Sequence, residues 1–256
     1  MAERKIGVNA QKTKIVDNFE ETVLAGGSAM SLLEKIAEQG FGILPDVLRT
    51  SETDCLREEL EKSGLPRSRA GIRHAMGNPA VSRFAHDRKV LGLVRMVLGE
   101  FAVPFRATVF DKSPSSNWLV MWHQDTALPL TEKCESQGWG PWSVKDGVTY
   151  AHAPAEALEL VLAVRLHLDD SNLENGPLRI LPGTHRAGVL TDNEIQRFSQ
   201  NVKSVECPVN AGGALLMRPL VVHASSKSAN AKPRRVLHIE YAAQREIVPG
   251  KTLAIA

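Results

Sequence analysis

Cysteine is scarce in this chain: Cys55, Cys134 and Cys207 are odd in number, far apart and form no C-x-x-C pair. That pattern excludes a disulfide framework or a zinc ribbon and fits a reducing cytoplasm. A charge excess is lacking too. The formal charge is +2, from 31 basic against 29 acidic side chains, and the longest basic cluster is only Lys232-Pro233-Arg234-Arg235. Nucleic-acid binders carry a clustered basic excess, so no nucleic acid is expected as a partner. No run of about 18 apolar residues exists, which excludes an expected membrane span. The polar stretch Met1 to Lys14 has no signal-peptide core, and the last residues, Ala254-Ile255-Ala256, are no recognisable address. Internal repeats, low-complexity tracts and clear linkers are all missing, so residues 1–256 are expected to form a single domain.

What is present is ordinary globular material, 43% hydrophobic and 23% charged over 256 residues, enough for a substantial core. Residues 1–27 show little pattern and read as an extended or partly disordered lead-in. The region 28–100 is helix-rich. Leu32, Leu33 and Ile36 give helical spacing from Ser28 to Gln39, with Gly40 as the C-terminal cap. Ser51 and Asp54 match a capping box for a second helix with Leu56 and Leu60 on one face, and Pro79 to Gly99 predicts a third with Val90, Val94 and Val97 on one stripe.

From 101 to 243 the pattern turns to strands. Phe41–Leu44 precedes them, and Phe101–Phe110, Asn117–Trp122, Val161–Leu168, Leu178–Leu181, Ala214–Met217, Leu220–His223 and Arg235–Tyr241 follow, separated by Gly, Pro, Asn and Ser. One helix interrupts, opened by a Thr191/Glu194 capping box with Ile195, Phe198 and Val202 on one side. The expectation is an α+β fold: a two-sheet double-stranded β-helix, or jelly roll, with N-terminal helices packed outside.

Two H-x-D tripeptides occur, His123-Gln124-Asp125 and His167-Leu168-Asp169. About one is expected by chance in such a chain, so neither is decisive alone. On a strand the two residues share a face, and an imidazole and a carboxylate there can hold two cis positions on a divalent metal. A third ligand would complete a 2-His-1-carboxylate facial triad with positions open for substrate and O2. His223, at the end of an apolar strand, is the candidate, although a histidine there is ordinarily a packed core residue. Arg234 sets it apart. The loop 224–233 is read as a chain reversal that puts His223 and Arg234 on adjacent strands facing one cavity. A guanidinium there suits a dicarboxylate cosubstrate, because its planar fork binds a carboxylate bidentately and keeps its charge when buried. Ser225 adds a hydroxyl to the same carboxylate, while Arg235 reads as a solvated charge. Starting from His123 leaves enough strands before His223 to wind a jelly roll; starting from His167 does not, and Asp169 sits in a turn. His167 and Asp169 are therefore read as coincidental.

Taken together, Gly40-Phe41-Gly42-Ile43-Leu44-Pro45, Trp122-His123-Gln124-Asp125, the stretch from Glu174 to His185, His223-Ala224-Ser225 and Pro233-Arg234-Arg235 resemble the phytanoyl-CoA dioxygenase-like Fe(II)/2-oxoglutarate oxygenases, over about Phe41 to Tyr241. The resemblance implies metal ligands at His123, Asp125 and His223. It places the 2-oxoglutarate carboxylate on Arg234 with Ser225, and Trp142 is the nearest match to a residue that touches 2-oxoglutarate. Ala224 stands where glycine is more usual. The cofactors implied are Fe(II), 2-oxoglutarate and O2, and the reaction implied is hydroxylation of an unactivated C–H bond of a small molecule with release of succinate and CO2. Related halogenases lack the carboxylate, so Asp125 disfavours halogenation.

Two other classes stay open at this point: a cupin-type jelly-roll isomerase or hydrolase, which needs no Arg234 in the cavity, and a metal-holding module without turnover. Arg165 and Lys145 are open between contact with an anionic substrate group and a surface or salt-bridged role. His185 is read as structural, Asn175-Gly176 as a hairpin turn, and Gly212-Gly213, preceding a strand, as no nucleotide loop. The substrate pocket is expected between Thr126–Pro154 and Arg186–Cys207, neither of which carries a readable specificity pattern.

Overall fold

A computed structural model describes residues 31–65, 71–113, 116–230 and 232–256. The expected lead-in over residues 1–27 lies outside the described residues.

Helix α1 (Leu32–Gln39) starts at Ser31, whose hydroxyl accepts the Glu34 N–H, and ends at Gly40 with φ 86°, a left-handed cap that glycine adopts without steric cost. Strand β1 (Phe41–Leu44) follows, then α2 (Thr50–Lys62). The capping carboxylate of α2 is Glu52, which accepts the Arg49 N–H at 2.7 Å. The expected Ser51/Asp54 box is not formed; Asp54 ion-pairs with Arg57 instead. After β2 (Gly71–Ile72), the expected helix over Pro79–Gly99 is broken into α3 (Pro79–Ala85) and α4 (Arg88–Leu98). The break is at Asp87, whose carboxylate accepts the Lys89 N–H at 2.9 Å and so caps a new helix.

Strands β3 (Val103–Lys112), β4 (Val120–His123), β5 (Ala127–Leu130), β6 (Trp142–Lys145) and β7 (Val148–His152) come next, and then the short α5 (Ala155–Leu158). Then come β8 (Val161–His167), β9 (Leu178–Ile180), α6 (Asp192–Asn201), β10 (Val205–Cys207), β11 (Ala214–Met217), β12 (His223–Ser225), β13 (Arg234–Ala242) and a closing hairpin of β14 (Glu246–Val248) and β15 (Lys251–Thr252). The Thr191/Glu194 box forms as expected at the start of α6. No alternation predicts β5, β6 and β7. They form a three-stranded sheet ordered β5-β7-β6, and the Asp146-Gly147 pair at the β6–β7 turn is the hairpin signal they carry.

The fold is mixed α and β with antiparallel sheets. A six-stranded sheet runs β1-β11-β8-β13-β3-β2, and a four-stranded sheet runs β10-β9-β12-β4. Helices α1 to α4 cover one face of the large sheet. Leu32, Ile36, Leu56, Val81, Val90 and Val94 share a core with Leu162, Val164 and Leu166 of β8 and with Leu237 and Ile239 of β13. Each such fully buried aliphatic side chain contributes about 2 kcal/mol. A second apolar group, including Phe41, Ala163 and Leu215 from the large sheet and Leu178, Ile180 and Cys207 from the small one, packs the two sheets against each other.

The opposite face of the large sheet is polar at one end. On β3 the alternation puts Phe105, Ala107 and Val109 in cores and leaves Arg106, Thr108, Phe110 and Lys112 lining a cavity of about 250 Å³. Arg165 on β8 and Arg234, His238 and Glu240 on β13 line the same cavity.

Two expectations about the late strands are corrected. The predicted strand Leu220–His223 is instead a turn that leads into β12. Val221 N–H donates to Arg218 O at 3.1 Å and Val222 N–H to the Thr184 hydroxyl at 2.9 Å, so the ladder begins only at His223. His223 and Arg234 do not lie on adjacent strands. β12 sits between β9 and β4 in the small sheet and β13 between β8 and β3 in the large one, so the 224–233 loop crosses from one sheet to the other.

Candidate active site

His123 ends β4 and His223 begins β12, and the two are direct antiparallel partners. Their rings lie 4.2 Å apart, centre to centre. Asp125 follows two residues after His123, and its backbone N–H is held by Pro219 O at 3.0 Å. Between them Gln124 turns the other way. Its amide donates to Leu220 O at 2.7 Å and Gly188 O at 2.9 Å, and its oxygen accepts the Leu190 N–H at 2.8 Å. That buried amide ties the β4 end to the turn before His223 and so fixes Asp125 relative to both histidines.

The Asp125 carboxylate faces both imidazoles, with Oδ1 3.6 Å from His123 Nε2 and Oδ2 3.6 Å from His223 Nε2. Cis ligands at metal–ligand distances near 2.1 Å lie about 3 Å apart, so a small inward movement would seat an ion. Each histidine's Nδ1 faces a backbone carbonyl, Met121 O at 2.8 Å for His123 and Val221 O at 3.0 Å for His223. An Nδ1–H donated there leaves Nε2 as the free donor atom on both rings. Burial, followed by the neighbouring His123, pushes the His223 pKa down to about 3 against the pull of Asp125, so this ring is neutral at pH 7. Burial opposes charge on His123 and Asp125 as well, yet their neighbours outweigh it: Asp125 raises the His123 pKa, and His223 and then His123 hold that of Asp125 well below the usual carboxylate range. Two neutralisable nitrogens and one ionised carboxylate, all within 4.8 Å of one another, form a donor set that suits iron(II).

Arg234 is buried in the same cavity, and no carboxylate pairs with it among the described residues. One terminal nitrogen donates to Gly176 O, another lies 3.5 Å from the Ser225 hydroxyl, and Nε has no partner. Lys112 is its strand partner across β3–β13, and its ammonium donates to the Ser225 hydroxyl at 2.8 Å. Arg165, also buried, meets His238 Nδ1 at 3.1 Å and likewise leaves Nε without a partner. Burial depresses all three cations, the nearby guanidinium charges adding for Lys112 and Arg234: Lys112 falls to about 7, Arg234 to about 9 and Arg165 to about 10. Three buried cations without carboxylates are costly unless an anion joins them.

The structure thus brings His123, Asp125, His223, Ser225 and Arg234 around one cavity. It does not bring Trp142, which packs against the group containing Leu128 and Leu253 with its indole N–H buried and unpartnered. Tyr150, opposite Ser143 in the same hairpin, lines the cavity instead. His167 is buried apart from the metal group with both ring nitrogens unpartnered, and Asp169 is taken by Arg57 and Arg235. Arg235 is therefore ion-paired and half-buried, where a solvated charge was expected. His185 meets Ala37 O at 3.2 Å, away from this cavity, a structural role as expected.

Lys112, Arg106 and the Gly176 carbonyl were missed by reading the sequence for motifs. Their signal is the period-two stripe Arg106, Thr108, Phe110, Lys112, polar at three of its four positions, and, for Gly176, the turn at Asn175-Gly176. At φ 69° with Ser226 O 2.3 Å from where a Cβ would stand, residue 176 has to be glycine for its carbonyl to reach Arg234.

The family described as phytanoyl-CoA dioxygenase (PhyH) matches residues 36–236. The chain belongs to that family. As a phytanoyl-CoA dioxygenase family member it is an iron(II)- and 2-oxoglutarate-dependent oxygenase, in line with what the resemblance implied. The ectoine dioxygenase of Halomonas elongata is 24% identical to it over 260 residues, covering 85% of this chain and 72% of that protein. The methylphosphonate hydroxylase of Gimesia maris is 25% identical over 228 residues, covering 84% and 81%. Among solved structures, HygX of Streptomyces hygroscopicus with nickel and 2-oxoglutarate bound shares the fold, with TM-score 0.59 and 19% identity over 84% of this chain and 87% of that one.

Proposed function

We propose that this family member hydroxylates an unactivated C–H bond of a small molecule, with His123, Asp125 and His223 holding iron(II) and Arg234 with Ser225 seating the distal carboxylate of 2-oxoglutarate. The observation that carries the reading is the buried, carboxylate-free Arg234 in the same cavity as the two-histidine, one-carboxylate group. When bound, iron(II) and 2-oxoglutarate supply oxidation of the C–H bond by O2, with succinate and CO2 released.

The chain's own residues do the placing. Gly176 O and the Ser225 hydroxyl fix the Arg234 fork, so a carboxylate meets a donor array that needs no rearrangement. Met121 O and Val221 O hold the two imidazoles with Nε2 inward. Arg165, buried on the adjacent strand, adds positive charge to the same cavity, close enough to feel both Asp125 and Arg234.

A cupin-type isomerase or hydrolase would have no use for Arg234 there, which weighs against that alternative. The same proposal takes the two large sheets as a double-stranded β-helix, supported by the apolar group shared between them. It places the protein in the cytoplasm, supported by the three free cysteines. Among the described residues no helix is long and apolar enough to cross a membrane.

Without oxygen, iron(II) plus 2-oxoglutarate is expected to give a weak visible charge-transfer band that neither gives alone. With oxygen, a small-molecule screen should then find compounds that drive succinate release. Bound iron with no band on adding 2-oxoglutarate would refute the assignment.

Lys112 adds a pH dependence. It is half-protonated near pH 7 in the free protein, and a carboxylate arriving beside it raises its pKa. Above pH 7, binding must therefore take up a proton, and 2-oxoglutarate affinity is expected to fall with rising pH by up to ~10-fold per unit. In Lys112→Met the slope should flatten; equal slopes in titration calorimetry would show that Lys112 does not face the cosubstrate.

A further inference from the structure

The cavity carries more positive charge than 2-oxoglutarate would answer. Arg73, Arg106, Lys112, Lys145, Arg165 and Arg234 line it against only Asp125 and Glu240, and Glu240 is taken by Arg106. Lys112, Arg165 and Arg234 are buried with Ser225 and Gly176, where the cosubstrate would lie. Arg73 and Lys145 are different: both are exposed residues that still line the cavity, which puts them at its mouth. Among the described residues neither has an ion-pair partner.

We propose that Arg73 and Lys145 seat an oxyanion group of the substrate, so that the compound hydroxylated is a small acid bearing a carboxylate, phosphate or phosphonate. This rests on the oxygenase reading and adds the substrate class to it. The two cations come from segments far apart in sequence and are held together by contacts between those segments. Lys145 ends β6, and its ammonium lies 5.2 Å from the centre of the Tyr150 ring. The Tyr150 hydroxyl is 2.8 Å from Nε2 of His74, next to Arg73, and the two rings stack. Asp146, next to Lys145, approaches His74 Nδ1 at 4.0 Å. His74 and Asp146 both hold left-handed backbone, at φ 52° and 50°.

Non-glycine residues keep that conformation only where their surroundings impose it, and such strain gathers at ligand-binding positions. Asp146 takes it as the first residue of the Asp146-Gly147 hairpin turn, which leaves His74, next to Arg73, as the strained residue at the mouth. Arg73 and Arg106 add to burial in lowering the Lys145 pKa, a sign that these charges crowd one another until an anion arrives. A cleft lined by one sign of charge also concentrates oppositely charged solutes at its mouth.

The test uses the protein loaded with iron(II) and saturating 2-oxoglutarate without oxygen. Paramagnetic broadening of ligand NMR signals is compared for ethylphosphonate, propionate and neutral propionamide. Broadening of the anions but not of propionamide is expected. The double variant Arg73→Ala/Lys145→Ala should reduce it by ~10-fold or more, with 2-oxoglutarate affinity and melting temperature unchanged. Stronger broadening of ethylphosphonate supports a seat for a dianion, and stronger broadening of propionate a seat for a carboxylate. Propionamide broadened as strongly as the anions, or a double variant equal to wild type, would overturn the proposal. Failure of 2-oxoglutarate itself to bind would reject the oxygenase reading and this one together, whereas bound 2-oxoglutarate with no anion bound rejects the seat alone.

Discussion

His123→Ala is expected to abolish iron-dependent turnover, lowering succinate release by ~1000-fold or more, about 4 kcal/mol of lost transition-state stabilisation. In the proposed site the ring is one of three metal donors, and its removal would do more than subtract one bond. Asp125 lies 3.6 Å from Nε2 of each histidine and keeps its low pKa through both of them. Without His123 the carboxylate loses the hydrogen bond and charge of that ring, which help hold it ionised, so a second donor is weakened by the same substitution. Folding should survive. His123 is only partly buried, and its β4–β12 pairing is made by backbone. The expected result is a variant with an unchanged melting temperature without metal, no iron retained on a desalting column, and no succinate above background. Wild-type succinate production in this variant would remove His123 from the metal centre.

Of the two H-x-D copies, the one that faces the cavity with a second histidine is distinguished by a contact made a hundred residues away. His123 and Asp125 converge because β4 pairs with β12, which places His223 directly opposite His123. The sequence could suggest that partner, because a histidine at the end of an apolar run with an arginine eleven residues later is a spacing with chemical meaning. It could not show that the intervening loop crosses between sheets, since a ten-residue connection is equally compatible with a hairpin. Arg234 still meets Ser225, but across the interior and not along a shared ladder.

The β5–β7–β6 sheet was hidden for a different reason. Its strands are short and its hydrophobic residues irregular: β6 reads Trp-Ser-Val-Lys and is mostly exposed. Only Asp146-Gly147 marked it, a turn signal with no clean alternation on either side. Lys112 and Arg106 were obscured by convention, because a charged residue in a strand is normally given to solvent, and Arg165 was left open between the two readings for the same reason. Their inward orientation is fixed by register on the large sheet, and register is a property of three strands together. Arg235 shows the converse. Beside the cavity-facing Arg234 it points to the other face and is neutralised by Asp169 and Glu61, as the two-residue period of a strand demands.

Arg234→Ala should raise the 2-oxoglutarate concentration needed for half-maximal rate by ~100-fold, about 2.7 kcal/mol, with a much smaller change in kcat at saturation. The guanidinium acts on a carboxylate remote from the reacting bond, so its loss removes binding shared by ground and transition states. Arg234→Lys should recover only part of the affinity, because an ammonium cannot satisfy Gly176 O, Ser225 and a carboxylate from one plane.

Stability should move the opposite way. In the absence of cosubstrate, Arg234 is a buried charge with no carboxylate, depressed toward pKa 9 by burial and by Arg165. Replacing it with methionine of similar length removes that unanswered charge and its repulsion from Arg165 and Lys112. Arg234→Met is therefore expected to melt several degrees higher than wild type when both are free of ligand, at ~2–4 °C per kcal/mol for a chain of this size. Adding 2-oxoglutarate with iron(II) should then raise the wild-type melting temperature and leave that of Arg234→Met nearly unmoved. A merely structural arginine would give the reverse, a variant less stable in both states and equally responsive to cosubstrate. Parallel thermal melts of the two proteins, with and without 2-oxoglutarate, decide between these outcomes. A positive charge that destabilises the empty protein and is offset only by an arriving anion is the behaviour expected of a binding residue.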